Sequence, residues 1–254
     1  MTPYDWINIG AAVWLFVAWI GYARFARRRA RTDHCLASVL HVYRKTWMIE
    51  MLSRQNRIAD TALIASLERN VSFLASTSIL IIAGLVTIMA SIDKVYITLS
   101  ALPFANDNMT PRQMQLKVIL LLLVYVYAFF TLTWALRQYG FCSILFGAAP
   151  AHDAQISEED RRRYAVSTAK IIDQAGHSYN YGLRAYYFSL AVLPWFFNTW
   201  LFIAAVAVVV GVLYRREFHS TTLRALLREI NQRESQDTAA DHPLVSTRSD
   251  KDFE

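Results

Sequence analysis

The chain has 254 residues, of which 55% are hydrophobic, 13% aromatic and only 18% charged, more apolar surface than one soluble core of this size buries. The formal charge of +6 sits beside the apolar runs and no nucleic-acid motif accompanies it, so it reads as membrane topology and excludes nucleic acid as the expected partner. A polytopic membrane protein is expected.

The first element is the apolar run 6–22. The start, MTPYDWINIG, carries no positive charge ahead of it, so it reads as a retained span and not as a cleaved signal peptide. Arg24, Arg27, Arg28, Arg29 and Arg31 follow at once. In the connection 24–69, Val39, Tyr43, Trp47 and Met51 recur every fourth residue, and Leu63, Leu67, Asn70 and Leu74 carry one stripe into the second run, 71–90. This spacing predicts helices, the second span extending beyond the membrane as one rod.

The second run holds most of the candidate site residues. RNVSFLASTSILIIAG is dense in polar residues for a segment in lipid. Asn70 and Thr77 share one face, with Ser72 and Ser76 on the neighbouring one. Helix packing through small hydroxyl residues is the ordinary explanation. A water-filled path, with Arg69 and Asn70 at its mouth, is the functional one.

The third run, 118–136, ends at Arg137. The connection 137–184 contains SEEDRRRYAVSTAKIID, whose Ser157 and following acids mark a helix start, and Gly176 is expected to interrupt that helix. His177, Asn180 and Arg184 then fall at spacings of three and four, one helix face suited to an anion or a lipid headgroup. The last run, 186–213, contains LPWFFNTW, with Pro194 and Asn198 where a straight helix would choose neither. Two readings stand: one tilted span kinked at Pro194, or a segment that enters, breaks near Asn198 and returns.

Lysine and arginine counts orient the runs. Residues 24–70 hold ten and 137–184 hold six, against three in 91–117 and none before Arg24. The two long connections are therefore expected in the cytoplasm, the amino terminus outside and the setting a bacterial inner membrane. Four crossings would leave the basic tail outside, against the charge rule; a returning last segment would put 23 of the 26 inside. Residues 237–254 read as disordered. Cys35 and Cys142 fall on the reducing side, so no disulfide is expected.

Catalytic motifs are almost absent. There is no phosphate-cradling glycine loop, no CxxC and no HExxH, and the single SxxK, Ser167 to Lys170, lacks its companions. No cofactor, metal or enzymatic activity is expected.

Three stretches carry a likeness to a known family: NRIADTALIASLERNVSFLASTSILIIAG, LRQYGFCSILFGAAP and NYGLRAYYFSLAVLPWF. The chain resembles, over about residues 5–232, the membrane family called domain of unknown function 599. The resemblance implies four spans with long cytoplasmic connections; it supplies no activity or ligand residues. The expected fold is thus an all-α membrane protein in one helical domain, 1–236, with four transmembrane helices and helical cytoplasmic extensions. The expected function is an oligomeric channel or transporter for small ions, anions above all. Its alternative is a non-catalytic scaffold holding a protein partner through basic amphipathic helices. The expected partners are the lipid bilayer and further copies of the chain.

Overall fold

A computed structural model describes residues 3–29, 35–101 and 109–229. Arg31 and the tail 237–254 lie outside the described residues. Among the described residues every regular element is helical. They are α1 (Pro3–Arg29), α2 (Leu36–Ser53), α3 (Ile58–Ala90), α4 (Ile92–Ser100), α5 (Pro111–Gly147), α6 (Glu158–Val192), a 3-10 turn (Leu193–Phe196) and α7 (Thr199–Phe218). Residues 221–229 are helical as well.

Among the described residues three helices, within Trp6–Arg29, Ile58–Ala90 and Pro111–Gly147, are long and apolar enough to cross a membrane. Their outward faces are apolar too: Trp6, Phe73, Leu80, Leu123 and Phe130 are all at least 60% exposed. In water so continuous an apolar surface would drive aggregation; in hydrocarbon it costs nothing. The apolar helices therefore mark a membrane protein.

Among the described residues two large cores hold the bundle, with a smaller cluster of Val124, Ala128 and Ala185. One joins α1, α5, α6 and α7 around Leu15, Phe188 and Phe202; the other joins α2, α3, α5 and α6 around Met48, Ile64, Leu132 and Ile172. Helices α5 and α6 run antiparallel through both. Ser178 donates to Gln138, Ser189 donates to the Tyr125 hydroxyl, and the Lys117 ammonium donates to the Trp195 carbonyl. Between the first and last of these pairs α5 advances 21 residues, about 30 Å, the depth of a bilayer core.

Helix starts follow the chemistry of their caps. Ser157 Oγ accepts from the Asp160 N–H, and the acids Glu158, Glu159 and Asp160 face the positive end of the α6 dipole. Thr110 and Gln113 close a capping box on α5, with Pro111 in its first turn. The linker from α2 to α3 is fastened by Arg57, whose guanidinium donates to the carbonyls of Met51, Leu52, Ala149 and Pro150. One side chain thereby ties the C-terminal carbonyls of α2 to the segment that follows α5.

Helix α3 is the single rod that the stripe predicts. Two other expectations are corrected. Gly176 does not interrupt α6, which runs unbroken to Val192; it is buried against the Arg44 guanidinium, where packing offsets its weak helix propensity. The run 186–213 is not one kinked span either, because the chain reverses between Leu193 and Asn198.

The reversal satisfies its backbone group by group. Pro194 has no N–H to offer the Leu190 carbonyl, so the Leu193 N–H takes it. The Pro194 carbonyl accepts from Phe197 and Asn198, and the Trp195 carbonyl accepts from Lys117. Asn198 is extended, and its Oδ1 caps α7 through the Trp200 N–H at 2.7 Å. Across the turn the rings of Trp195 and Phe202 stack at 4.4 Å. Helix α7 then returns along α6, bringing Glu217 to 3.5 Å from Arg184 and Arg216 to the Tyr187 hydroxyl.

Candidate functional site

At the end of the bundle where α1 finishes, α2 begins and α7 returns, a cavity of about 460 Å³ opens. Each wall has a local reason to be there. The last turn of α1 supplies Arg27. The first turns of α2 supply Ser38 and His41; Ser38 Oγ closes the cap by accepting the Cys35 N–H at 3.0 Å and donating to the Cys35 carbonyl at 2.9 Å. Helix α6 supplies His177, Asn180, Tyr181 and Arg184, one face at helical spacing, and α7 supplies Glu217.

The electrostatics are those of a cation-lined pocket. Arg27 donates through Nε and Nη2 to the Tyr181 hydroxyl at 3.2 and 2.8 Å. A phenol is neutral, so this bond positions the guanidinium without cancelling its charge. Arg184 lies over the Tyr22 and Tyr181 rings, 5.3 and 5.7 Å from their centroids, and among the described residues Glu217 is the acid that pairs with it. His177 is exposed at the cavity, yet desolvation by the surrounding protein lowers its pKa from the ordinary 6.5.

Behind the pocket stands a buried carboxylate. One oxygen of Asp173 takes the His41 Nδ1 contact and the other accepts from Arg44 Nη1 at 2.7 Å. The Asp173 side chain is 11% exposed and that of His41 is 53% exposed, so the acid is held inside while the imidazole reaches the cavity. The triplet ties α2 to α6.

The sequence-predicted residues divide accordingly. His177, Asn180 and Arg184 come together at this pocket. Arg137 stands apart, exposed, its guanidinium carbon 5.7 Å from the Phe141 ring centroid. Arg69, Asn70, Ser72 and Ser76 are exposed on the outer side of α3, and Thr77 Oγ1 donates to the Phe73 carbonyl in its own helix. The hydroxyl of that run which turns inward is Ser78, fully buried and 2.8 Å from the Tyr186 hydroxyl. Asn198 and Pro194 shape the reversal. Sequence reasoning passed over Arg27, His41 and Asp173. The available signal was weak: His41 and Arg44 share a face of α2, and Asp173 and His177 share a face of α6, but the two pairs are more than 120 residues apart.

A second buried acid lies elsewhere. Asp60 is 1% exposed; its Oδ1 accepts from Trp47 Nε1 at 2.6 Å and Arg54 Nη1 at 2.5 Å, while Oδ2 has no partner among the described residues. Among the described residues no three His, Cys, Asp or Glu side chains converge as a metal site.

No curated protein and no solved structure matches this chain. The family described as Protein of unknown function, DUF599 matches residues 11–222, most of the chain and all of the pocket and the reversal, and the protein belongs to that family.

Proposed function

We propose that this membrane protein binds a phosphate-bearing anion in the pocket at the basic end of its bundle, that end facing the cytoplasm and the amino terminus facing outside. The observation that carries the reading is the wall of Arg27, Arg184, His41 and His177 around one cavity with Glu217 as the acid among its lining residues. Arginine forks suit phosphate oxygens, and a neutral Tyr181 partner leaves Arg27 its charge. The position, where α1 passes from apolar residues to Arg24, Arg27, Arg28 and Arg29, is where a bilayer presents its headgroups.

The test is a thermal melt of the purified chain in a neutral detergent, titrated with inorganic phosphate. Stabilisation that saturates, and that R27A and R184A each weaken at least tenfold, is the expected result. Equal stabilisation of wild type and both variants would overturn the reading.

The channel reading remains a second proposal, supported by the exposed polar residues Arg69, Asn70, Ser72 and Ser76 of α3. It requires several copies to gather Arg69, Asn70, Ser72, Ser76 and Thr77 around one axis, which a scaffold role does not. If Ser76→Trp leaves anion flux through reconstituted vesicles unchanged, the channel reading is wrong; stoichiometric recovery of one partner without flux supports the scaffold.

A further inference from the structure

We propose that His41 is a nucleophile for phosphoryl transfer, which makes the pocket a hydrolytic site for phosphate monoesters. The proposal rests on the phosphate-binding reading and departs from the sequence expectation that the chain is not an enzyme.

Asp173 forms an ion pair with Arg44, and a carboxylate can only accept, so His41 meets it with Nδ1–H. That fixes the tautomer and leaves the Nε2 lone pair on the side of the ring away from the acid, on a side chain that lines the cavity. The arrangement is built rather than incidental. Arg44 holds the second carboxylate oxygen, and Gly176 makes room for Arg44, since a Cβ there would stand 2.9 Å from Arg44 Nη2. His41 and Arg44 on α2 thus close on Asp173 and Gly176 on α6, and the acid is withdrawn from solvent while the imidazole is not. A structural brace would need none of this to end at a cavity lined by two arginines.

The chemistry balances with water as the only co-reactant. With the nonbridging phosphate oxygens held by Arg27 and Arg184, the His41 Nε2 lone pair forms a bond to phosphorus as the ester P–O bond breaks. The leaving oxygen takes a proton from His177, which the negative charge of the bound monoester beside it keeps protonated against the desolvation it meets in the free pocket, and Asp173 stabilises the positive charge that develops on the His41 ring. His177, now neutral, takes a proton from water, whose oxygen attacks phosphorus; the P–N bond breaks and its electron pair returns to His41. The sum is phosphate monoester plus water giving alcohol plus inorganic phosphate. His41 and His177 are the catalytic residues, and Asp173 is a positioning residue.

The substrate can be a lipid or a soluble monoester, so the experiment has two arms. The full chain in vesicles is given p-nitrophenyl phosphate in one arm, and in the other the vesicles contain phosphatidic acid. Phosphate release in either arm is expected, and the productive arm names the source. His41→Gln abolishes release. Asp173→Asn lowers kcat on the order of 100-fold with KM changed little. His177→Gln spares p-nitrophenyl phosphate, whose leaving group needs no proton, but slows phosphatidic acid. An alkaline quench during turnover shows a phosphoramidate signal by phosphorus NMR in wild type and none in His41→Gln. Each variant is first shown to melt cooperatively, and His41→Asn replaces His41→Gln if the latter does not. No phosphate release in either arm, from a protein that inorganic phosphate still stabilises, overturns this proposal alone; loss of that stabilisation overturns the binding reading beneath it.

Discussion

The ammonium of Lys117 lies 2.7 Å from the carbonyl oxygen of Trp195 and 5.2 Å from the centroid of the Trp195 ring, although the two residues are 78 positions apart. Lys117 is 2% exposed. A cation buried in an apolar bundle needs an acceptor, and a carbonyl freed by a helix break needs a donor. Each residue answers the other's cost, at the point where α6 gives way to α7.

The reversal has a topological consequence. Asn8, near the start of α1, accepts from Trp195 Nε1 at 2.9 Å and from Thr199 Oγ1 at 3.3 Å, whereas Phe25, near its end, lies 5.9 Å from the Phe218 ring. Helix α7 therefore runs parallel to α1 and ends with the arginines of α1. A reporter fused after Glu229, active on one side of the membrane only, should give the same side as one inserted in the 54–57 linker. Opposite sides would rule out the hairpin as the membrane-inserted form. Agreement would also remove the conflict between hydropathy and the charge rule, which arose only from counting 186–213 as one crossing.

Lys117→Met keeps most of the side-chain volume and removes the donor. A hydrogen bond to a charged group contributes about 1.5–3 kcal/mol, partly offset here because a buried charge disappears with it. The expected outcome is a melting temperature lower by several degrees in detergent, with easier proteolysis between Leu193 and Asn198. An unchanged melt would mean that the carbonyl finds another donor.

These two residues also mark how far the sequence could be read. Pro194 and Asn198 announced a break, because proline removes a donor and asparagine caps helices, both local properties. Which break it was depended on Lys117 and Asn8, whose partners lie 78 and 187 positions away. The α6 face of His177, Asn180 and Arg184 was legible for the same reason, since three residues within two turns report their own geometry. His41 and Asp173 were not, because each is an ordinary polar residue until α2 docks on α6. The α3 serines misled in the opposite way. Periodicity groups Ser72 and Ser76 correctly but cannot say whether their face meets the core, lipid or another copy, and Ser78, two positions on, is the one that packs.

At Gly182 helix α6 packs tightly on Leu132 of α5. A Cβ there would stand 2.6 Å from both Cγ and Cδ2 of Leu132, which is itself fully buried. Gly182→Ala must therefore push α6 from α5 or force Leu132 out of its rotamer, and such overpacking costs about 1–3 kcal/mol. Helix propensity favours alanine by up to about 1 kcal/mol, so the expected net is a loss. The double variant Gly182→Ala with Leu132→Ala should recover part of it in a denaturation series, because the second change removes the colliding atoms. A Gly182→Ala protein as stable as wild type would show that the helices are not held at this distance.

His177 gives the pocket a pH signature of known sign. Its pKa in the fold is lowered from 6.5, first by desolvation, with Asp173 acting in the opposite direction and Arg44 and Arg184 in the same one. Between 6.5 and the lowered value the unfolded chain binds a proton that the folded chain does not, so stability rises with pH in this window. The contribution is fully present above 6.5 and is lost as the pH falls from 6.5 through the folded value. Melting temperatures of wild type and His177→Gln, measured from pH 7.5 down to 5, should therefore diverge. The wild type loses stability more steeply below 6.5, and the variant lacks that part of the slope. Binding of inorganic phosphate should flatten the wild-type slope, because an anion beside His177 offsets the cost of protonating it. Parallel curves for the two proteins would mean that His177 titrates as it does in water.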